Sequence, residues 1–317
     1  DGRFEQFSRF GDGIVQATFG PDGDLFLVSL QDAPRGSIVR LDADSLDVNK
    51  ARTIVPESRD TIVTSFYHSP PSVLPTDSRL YVIYQLGGPS EIRVFDFDGK
   101  RCGGPSLPAV SSVDGLVRLD GDEILFSTES YVKPPAFLRF QPSSLKTVAT
   151  KLGTDSPVDF SGVKVVREYA RSKDGTKVPV NILLPKGARR DGSRAIVVYG
   201  YGGFAISLTP RFDPLRELML ANGVVYAVAN IRGGAEFGET WHQQGNLTNK
   251  QNVFDDFAAA VQHTVRRGYA SADRVAIMGG SNGGLLMGAS LTQHPELFRA
   301  VVALVGIYDM LRVELSA

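Results

Sequence analysis

The pattern of hydrophobic and polar positions changes period once along this chain. From Asp1 to about Pro157, apolar residues alternate with polar ones or form short runs between clusters of Gly, Pro, Asp and Ser. Helical spacing is almost absent, so the pattern predicts short β-strands joined by turns. Three stretches resemble one another: Asp24-Leu-Phe-Leu-Val-Ser29 with Ile38-Val-Arg-Leu-Asp42, Arg79-Leu-Tyr-Val-Ile-Tyr84 with Ile92-Arg-Val-Phe-Asp96, and Glu123-Ile-Leu-Phe-Ser-Thr128 with Phe137-Leu-Arg-Phe-Gln141. The second strand of each pair carries an arginine, Arg40, Arg93 or Arg139. Their spacing of about 45 to 55 residues lies in the range of four-stranded propeller blades. About three blades are expected. A β-sandwich also suits short, evenly spaced strands; the internal repeat favours the propeller.

Around Gly162 the period shifts. Val163 to Tyr169 and Val178 to Leu184 flank the turn Lys173-Asp-Gly-Thr176 and predict an antiparallel pair. Buried strands over Ala195–Tyr199, Val224–Ala229, Val275–Met278 and Ala300–Val305 then alternate with helices. One helix is capped by Asp213-Pro214, carries Leu215, Leu218 and Met219 on one apolar face and stops at Asn222-Gly223. A second spans Asn252 to Arg267, with Asp255 and Asp256 near its start and Arg266 and Arg267 near its end, which complements the helix dipole. Such alternation specifies a parallel, doubly wound sheet whose ligands bind at the carboxyl ends of the strands. The expected division is therefore residues 1–157 and 158–317. Because Val301 to Val305 is apolar, it needs a further strand beside it, and about three blades fall short of a closed ring. The chain reads as a segment lacking both termini of a longer protein.

Composition narrows the chemistry. A formal net charge of −1 and scattered basic residues give no footprint for nucleic acid or an anionic membrane. No apolar run is long enough to span a bilayer. The single cysteine, Cys102, leaves no internal disulfide or cysteine-based metal site and reads as a small packed residue. The compartment, cytoplasmic or periplasmic, stays open.

The chemistry concentrates in Met278-Gly-Gly-Ser281-Asn-Gly-Gly284. Gly279, Ser281 and Gly283 match G-x-S-x-G between a strand and a helix, the setting of a nucleophile elbow. There the serine occupies a strained turn, and the helix N-terminus faces the position where an anionic intermediate forms. The simpler alternative is a glycine-rich turn with Ser281 as its cap. A nucleotide-binding loop fits worse, since Ser281 interrupts G-x-G-x-x-G and no Gly-Lys-Ser/Thr is present. A serine nucleophile needs a general base, and in this arrangement the order is Ser, Asp or Glu, His. His294 lies too far along the elbow helix to reach back, Asp309 has no histidine after it, and His242 and His263 precede the serine. His68 reads as a solvated loop residue. A polypeptide of these residues alone is expected to have negligible peptidase activity.

The blocks Tyr199-Gly-Tyr-Gly-Gly-Phe-Ala-Ile-Ser-Leu-Thr-Pro210, Ala229-Asn-Ile-Arg-Gly-Gly-Ala-Glu-Phe-Gly-Glu-Thr-Trp-His242 and Met278-Gly-Gly-Ser-Asn-Gly-Gly-Leu-Leu286 together closely resemble the prolyl oligopeptidase family. The resemblance implies part of a propeller followed by an incomplete α/β-hydrolase domain, and cleavage of short peptides after proline. By motif position it implies Ser281 as nucleophile, the Asn282 N–H and Tyr201 hydroxyl as the oxyanion hole, and Phe204 and Ile307 as walls of the pocket for the residue before the scissile bond. The family's aspartate and histidine would lie beyond residue 317. The resemblance implies no metal or organic cofactor, and a monomer when full length. An esterase or aminopeptidase-like relative and a non-catalytic peptide-binding module remain alternatives.

Overall fold

The computed structural model describes residues 5–45, 47–64, 71–309 and 311–312. His68 lies outside them. Three antiparallel sheets come first. β1 (Ile14–Phe19), β2 (Leu25–Ser29), β3 (Ser37–Leu41) and β4 (Arg52–Val55) pair in chain order. The second sheet holds β5 (Thr61–Ile62), β6 (Val73–Pro75), β7 (Leu80–Gln85), β8 (Ser90–Phe95) and β9 (Arg101–Cys102), with both β5 and β6 paired to β7. β10 (Ser111–Arg118), β11 (Ile124–Ser130), β12 (Ala136–Gln141) and β13 (Lys146–Gly153) form the third.

β7 explains how these sheets stack. Successive side chains of a strand point to opposite faces, yet every residue of β7 is buried. Leu80, Val82 and Tyr84 join a core with Phe26, Val28 and Ile38 of the first sheet. Tyr81 and Ile83 join another with Ile124, Phe126 and Phe140 of the third. A two-sheet sandwich leaves each sheet one outer face; the second sheet here has none, as in successive propeller blades. The repeated arginines have a common use at two of three positions. Arg40 and Arg139 pair with Asp24 and Glu123, just ahead of β2 and β11. Arg93 instead pairs with Asp60 and Glu91. Cys102 is half-buried, its Sγ 2.9 Å from Arg79 Nη1.

The remaining strands form one sheet. β14 (Lys164–Arg171) and β15 (Lys177–Leu184) are antiparallel, as their flanking turn implies. β16 (Ile196–Tyr199), α1 (Arg216–Ala221), β17 (Val225–Ala229), α2 (Glu239–Gln243), α3 (Gln251–Arg266), β18 (Val275–Gly280), α4 (Asn282–Gln293) and β19 (Ala300–Leu304) follow. The order across the sheet is β14-β15-β17-β16-β18-β19, and β17, β16, β18 and β19 are mutually parallel. Val178, Val180 and Ile182 of β15 pack with Ile196, Val198, Ala227, Ile277 and the inner faces of α3 and α4.

Three expectations need correction. Leu215 and Leu218 are 69% and 68% exposed. Only six residues long, α1 turns Met219 and Leu220 inward, and Arg216 lies over the rings of Tyr131 and Tyr226. Asp256 is not a dipole partner at the helix surface; it is fully buried and accepts from the Arg232 backbone N–H at 3.0 Å and from its Nη2 at 2.6 Å. Arg232 also donates to Asp174 in the β14–β15 turn, so the pair staples the lead-in hairpin to α3. Finally, β19 is mostly exposed where a buried strand is expected, while its place at the sheet edge among the described residues is as expected.

Candidate active site

β18 ends at Gly280 and α4 begins at Asn282, so Ser281 alone makes the turn. Its backbone has φ 57° and ψ −118°, a region that L side chains rarely occupy. The backbone is anchored on both sides: the Ser281 N–H donates to Leu304 O at 2.9 Å, and its carbonyl accepts from the Leu285 N–H at 3.1 Å. The side chain makes no capping hydrogen bond and the residue is exposed. Glycine is required on both flanks by close approach. A Cβ on Gly279 would lie 2.5 Å from Gly283 O, and one on Gly283 would lie 2.7 Å from Gly200 O. The N–H groups in the first turn of α4, which starts at Asn282, supply a field that favours negative charge at this turn.

Tyr201 follows the neighbouring strand, β16. β16 and β18 pair in parallel with Tyr199 opposite Met278, so Tyr201 and Ser281 leave the sheet at the same edge. The Asn282 side chain joins the two turns, donating from Nδ2 to Tyr201 O at 2.6 Å. Gly203 closes over that amide, for a Cβ there would stand 2.5 Å from Asn282 Nδ2. The Tyr201 ring lies beside the elbow, with its Cδ2 3.6 Å from the position a Gly283 Cβ would take.

Phe204 and Ala205 continue the turn, both with φ 53°. The Ala205 N–H lies 3.0 Å from Gly233 O and 3.1 Å from His242 Nδ1. Phe204 is 58% exposed and Ile307, beyond β19, is 39% exposed. In strand order, Tyr201 and Phe204 stand on one side of Ser281 and Ile307 on the other, all at the carboxyl edge. Tyr201 and Asn282 are brought into direct contact; Phe204 and Ile307 follow β16 and β19, the two strands beside β18.

The three described histidines are engaged elsewhere. His242 serves the Ala205 turn, His263 Nε2 lies 2.8 Å from Glu168, and His294 Nδ1 lies 3.4 Å from Glu296. Among the described residues no group of side chains could hold a metal ion, and no helix is long and apolar enough to cross a membrane. Sequence reasoning missed Lys250 and the Asn282 side chain. Lys250 Nζ donates to Gly202 O at 2.8 Å and Asn282 Oδ1 at 3.0 Å. Nothing in its local sequence marks it, because its partners come from the turn after β16 and from α4.

A buried carboxyl lies below the same loop. Glu236 Oε1 accepts from the Leu208 N–H at 3.0 Å and Asn230 Nδ2 at 3.1 Å, while its Oε2 has no hydrogen-bond partner among the described residues. Burial raises its pKa from an ordinary 4.5 to about 7. Below pH 4.5 the group is protonated whether the chain is folded or not. Between that pH and about 7 the unfolded chain loses its proton first, so stability falls as pH rises, then levels off. The total is about 3 kcal/mol. Glu236→Gln should remove this slope in denaturant titrations at pH 5 and pH 8. Parallel wild-type and variant profiles would refute it.

Comparison with known proteins gives matches on both sides of this geometry. The chain matches the model for the prolyl oligopeptidase N-terminal β-propeller domain over residues 12–151 and that for the prolyl oligopeptidase family over residues 210–317. A prolyl endopeptidase of Elizabethkingia miricola is 34% identical over 295 residues, covering 92% of this chain and 40% of that protein. One from Dictyostelium discoideum is 34% identical over 307 residues, covering 92% and 39%. A solved prolyl endopeptidase structure aligns with a TM-score of 0.85 at 36% identity, over 95% of this chain and 43% of the other. Prolyl oligopeptidase B from Galerina marginata, bound to a 25mer macrocyclization substrate, aligns with a TM-score of 0.81 at 28% identity, over 94% and 41%. The chain thus spans about 40% of the length of the curated relatives it matches. Stacked antiparallel sheets leading into a parallel sheet with a serine elbow, matched on both parts, make this chain a member of the prolyl oligopeptidase family.

Proposed function

We propose that this chain carries the nucleophile and oxyanion-binding part of a serine peptidase that hydrolyses short peptides after proline. The observation that carries the reading is the exposed Ser281, held at φ 57° beside Tyr201 and the start of α4. In this reading residues 1–157 are about three propeller blades and residues 158–317 the first part of the hydrolase domain. The triad's Asp and His come from outside these residues, and the complete protein is a monomer.

Ser281 Oγ attacks the carbonyl carbon after proline while its proton passes to the histidine. The carbonyl π electrons move onto oxygen, and the Asn282 N–H and Tyr201 O–H donate to that oxyanion. Collapse breaks the C–N bond, the histidine returns the proton to the leaving amine, and water then releases the acyl group by the same steps in reverse. Phe204 and Ile307 offer apolar walls for the proline ring.

The test uses the full-length protein with matched reporters ending in Gly-Pro and Gly-Ala, a simple ester, and a fluorophosphonate. Expected are selective turnover of the Gly-Pro reporter and fluorophosphonate labelling of Ser281. Ester turnover without peptide cleavage would replace the peptidase by an esterase. Peptide binding with neither labelling nor turnover would make the protein a non-catalytic module.

A further inference from the structure

Lys250 is the residue immediately before α3, and its ammonium is turned into the protein toward the elbow. It contacts the two halves of the site at once. Nζ donates to the Gly202 carbonyl, in the turn that carries Tyr201, and to Oδ1 of Asn282, the first residue of α4. The same Asn282 side chain donates through Nδ2 to the Tyr201 carbonyl. The result is a closed ring of three hydrogen bonds: ammonium to Gly202, ammonium to the Asn282 amide, and that amide to Tyr201.

The ring has a direction. An amide whose oxygen accepts from an ammonium is fixed with its NH₂ pointing away, here at the Tyr201 carbonyl. A flip of Asn282 would put its NH₂ against the ammonium and its oxygen against a carbonyl, leaving no hydrogen bond on either side. Among the described residues Lys250 forms no ion pair, so no carboxylate draws the charge away from this ring. Burial alone lowers its pKa to about 8, and the cost of a partly desolvated ammonium is offset here by its hydrogen bonds to Gly202 O and Asn282 Oδ1.

We propose that Lys250 is a positioning residue that locks the Asn282 amide and thereby fixes the Tyr201 turn against the Ser281 elbow. Its target is the relative placement of the two oxyanion donors, the Asn282 N–H and the Tyr201 hydroxyl. It does not touch substrate, and it acts through the turn that follows β16 and the first residue of α4. The role of those donors rests on the proposed peptidase reading; the locking of the turn does not.

The test compares Lys250→Met, which keeps the stem and removes every donor, with Lys250→Gln, which keeps an amide donor, in the full-length protein. Amide hydrogen exchange over residues 200–206 reads the turn directly. Lys250→Met should speed it by about ten- to a hundredfold, as expected for loss of a charge-assisted hydrogen bond. Lys250→Gln should lie between it and wild type, and it carries the comparison if the methionine variant does not fold. In turnover, Lys250→Met should lower kcat by about ten- to a hundredfold with KM changed less than about twofold. Combined with Tyr201→Phe it should add little, because the donor that it positions is already gone. Unchanged exchange over 200–206 in both variants would overturn the proposal. So would a kcat loss that multiplies fully with that of Tyr201→Phe, which is the mark of an independent structural effect. Loosened exchange in a protein whose turnover survives Ser281→Ala would leave the lock standing and remove the peptidase reading instead.

Discussion

Replacing Ser281 with alanine in the full-length protein is expected to lower kcat for a post-proline reporter by about six orders of magnitude, the loss seen when a serine protease is stripped of its nucleophile. The fold should survive unchanged. The Ser281 side chain caps nothing, and the strained turn is held by backbone bonds to Leu304 and Leu285 that alanine keeps. The cost therefore falls on chemistry and not on stability. Thermal unfolding measured beside kinetics checks both halves of the expectation. A variant that keeps more than about a hundredth of wild-type kcat would show that another group is the nucleophile, since binding and the oxyanion hole alone leave only a small residue of rate.

Tyr201→Phe should lower kcat by about a hundred- to a thousandfold, or about 3 to 4 kcal/mol, which is the usual loss for one oxyanion donor. Here too the structure separates chemistry from folding. Tyr201 contributes to the architecture through its carbonyl, which accepts from Asn282, and through a ring packed beside Gly283. Phenylalanine retains both and removes only the hydroxyl. KM should move little, because the charge that the hydroxyl stabilises exists only after attack. Undiminished kcat would take Tyr201 out of the mechanism and leave it as a packed aromatic under the Gly202-Gly203 turn.

What could be read from the sequence follows from how far apart the interacting residues stand in the chain. The elbow was legible because Gly279, Ser281 and Gly283 are near neighbours, and the clashes that forbid larger residues at the two glycines arise within the turn and from Gly200 alone. The stacked sheets were legible because alternation and repeat spacing are local. Register across the sheet was not: β16 lies between β17 and β18, out of chain order, and periodicity carries no term for that. Asp256 shows the limit well. Its position near a helix start suggested a dipole partner, yet Arg232, 24 residues away, claims it. Lys250 reads as one more surface cation until Gly202, 48 residues earlier, and Asn282, 32 residues later, are brought to it.

The loop that begins at Tyr201 descends into the stacked sheets. Ser207 Oγ donates to Gln85 in the second sheet at 3.1 Å, Pro210 O accepts from Ser112 in the third at 2.7 Å, and the Phe212 N–H donates to Glu129 there at 2.8 Å. The head of this loop is thus set by the parallel sheet and its foot by the antiparallel ones. Cutting the chain near residue 158 would separate two sequence modules without separating two working parts. An excised parallel sheet would keep Ser281 and its turn, while the tail of the Tyr201 loop would lose three of its anchors. The stacked sheets are in this sense a component of the site's tolerance, setting how far one oxyanion donor can wander from the other.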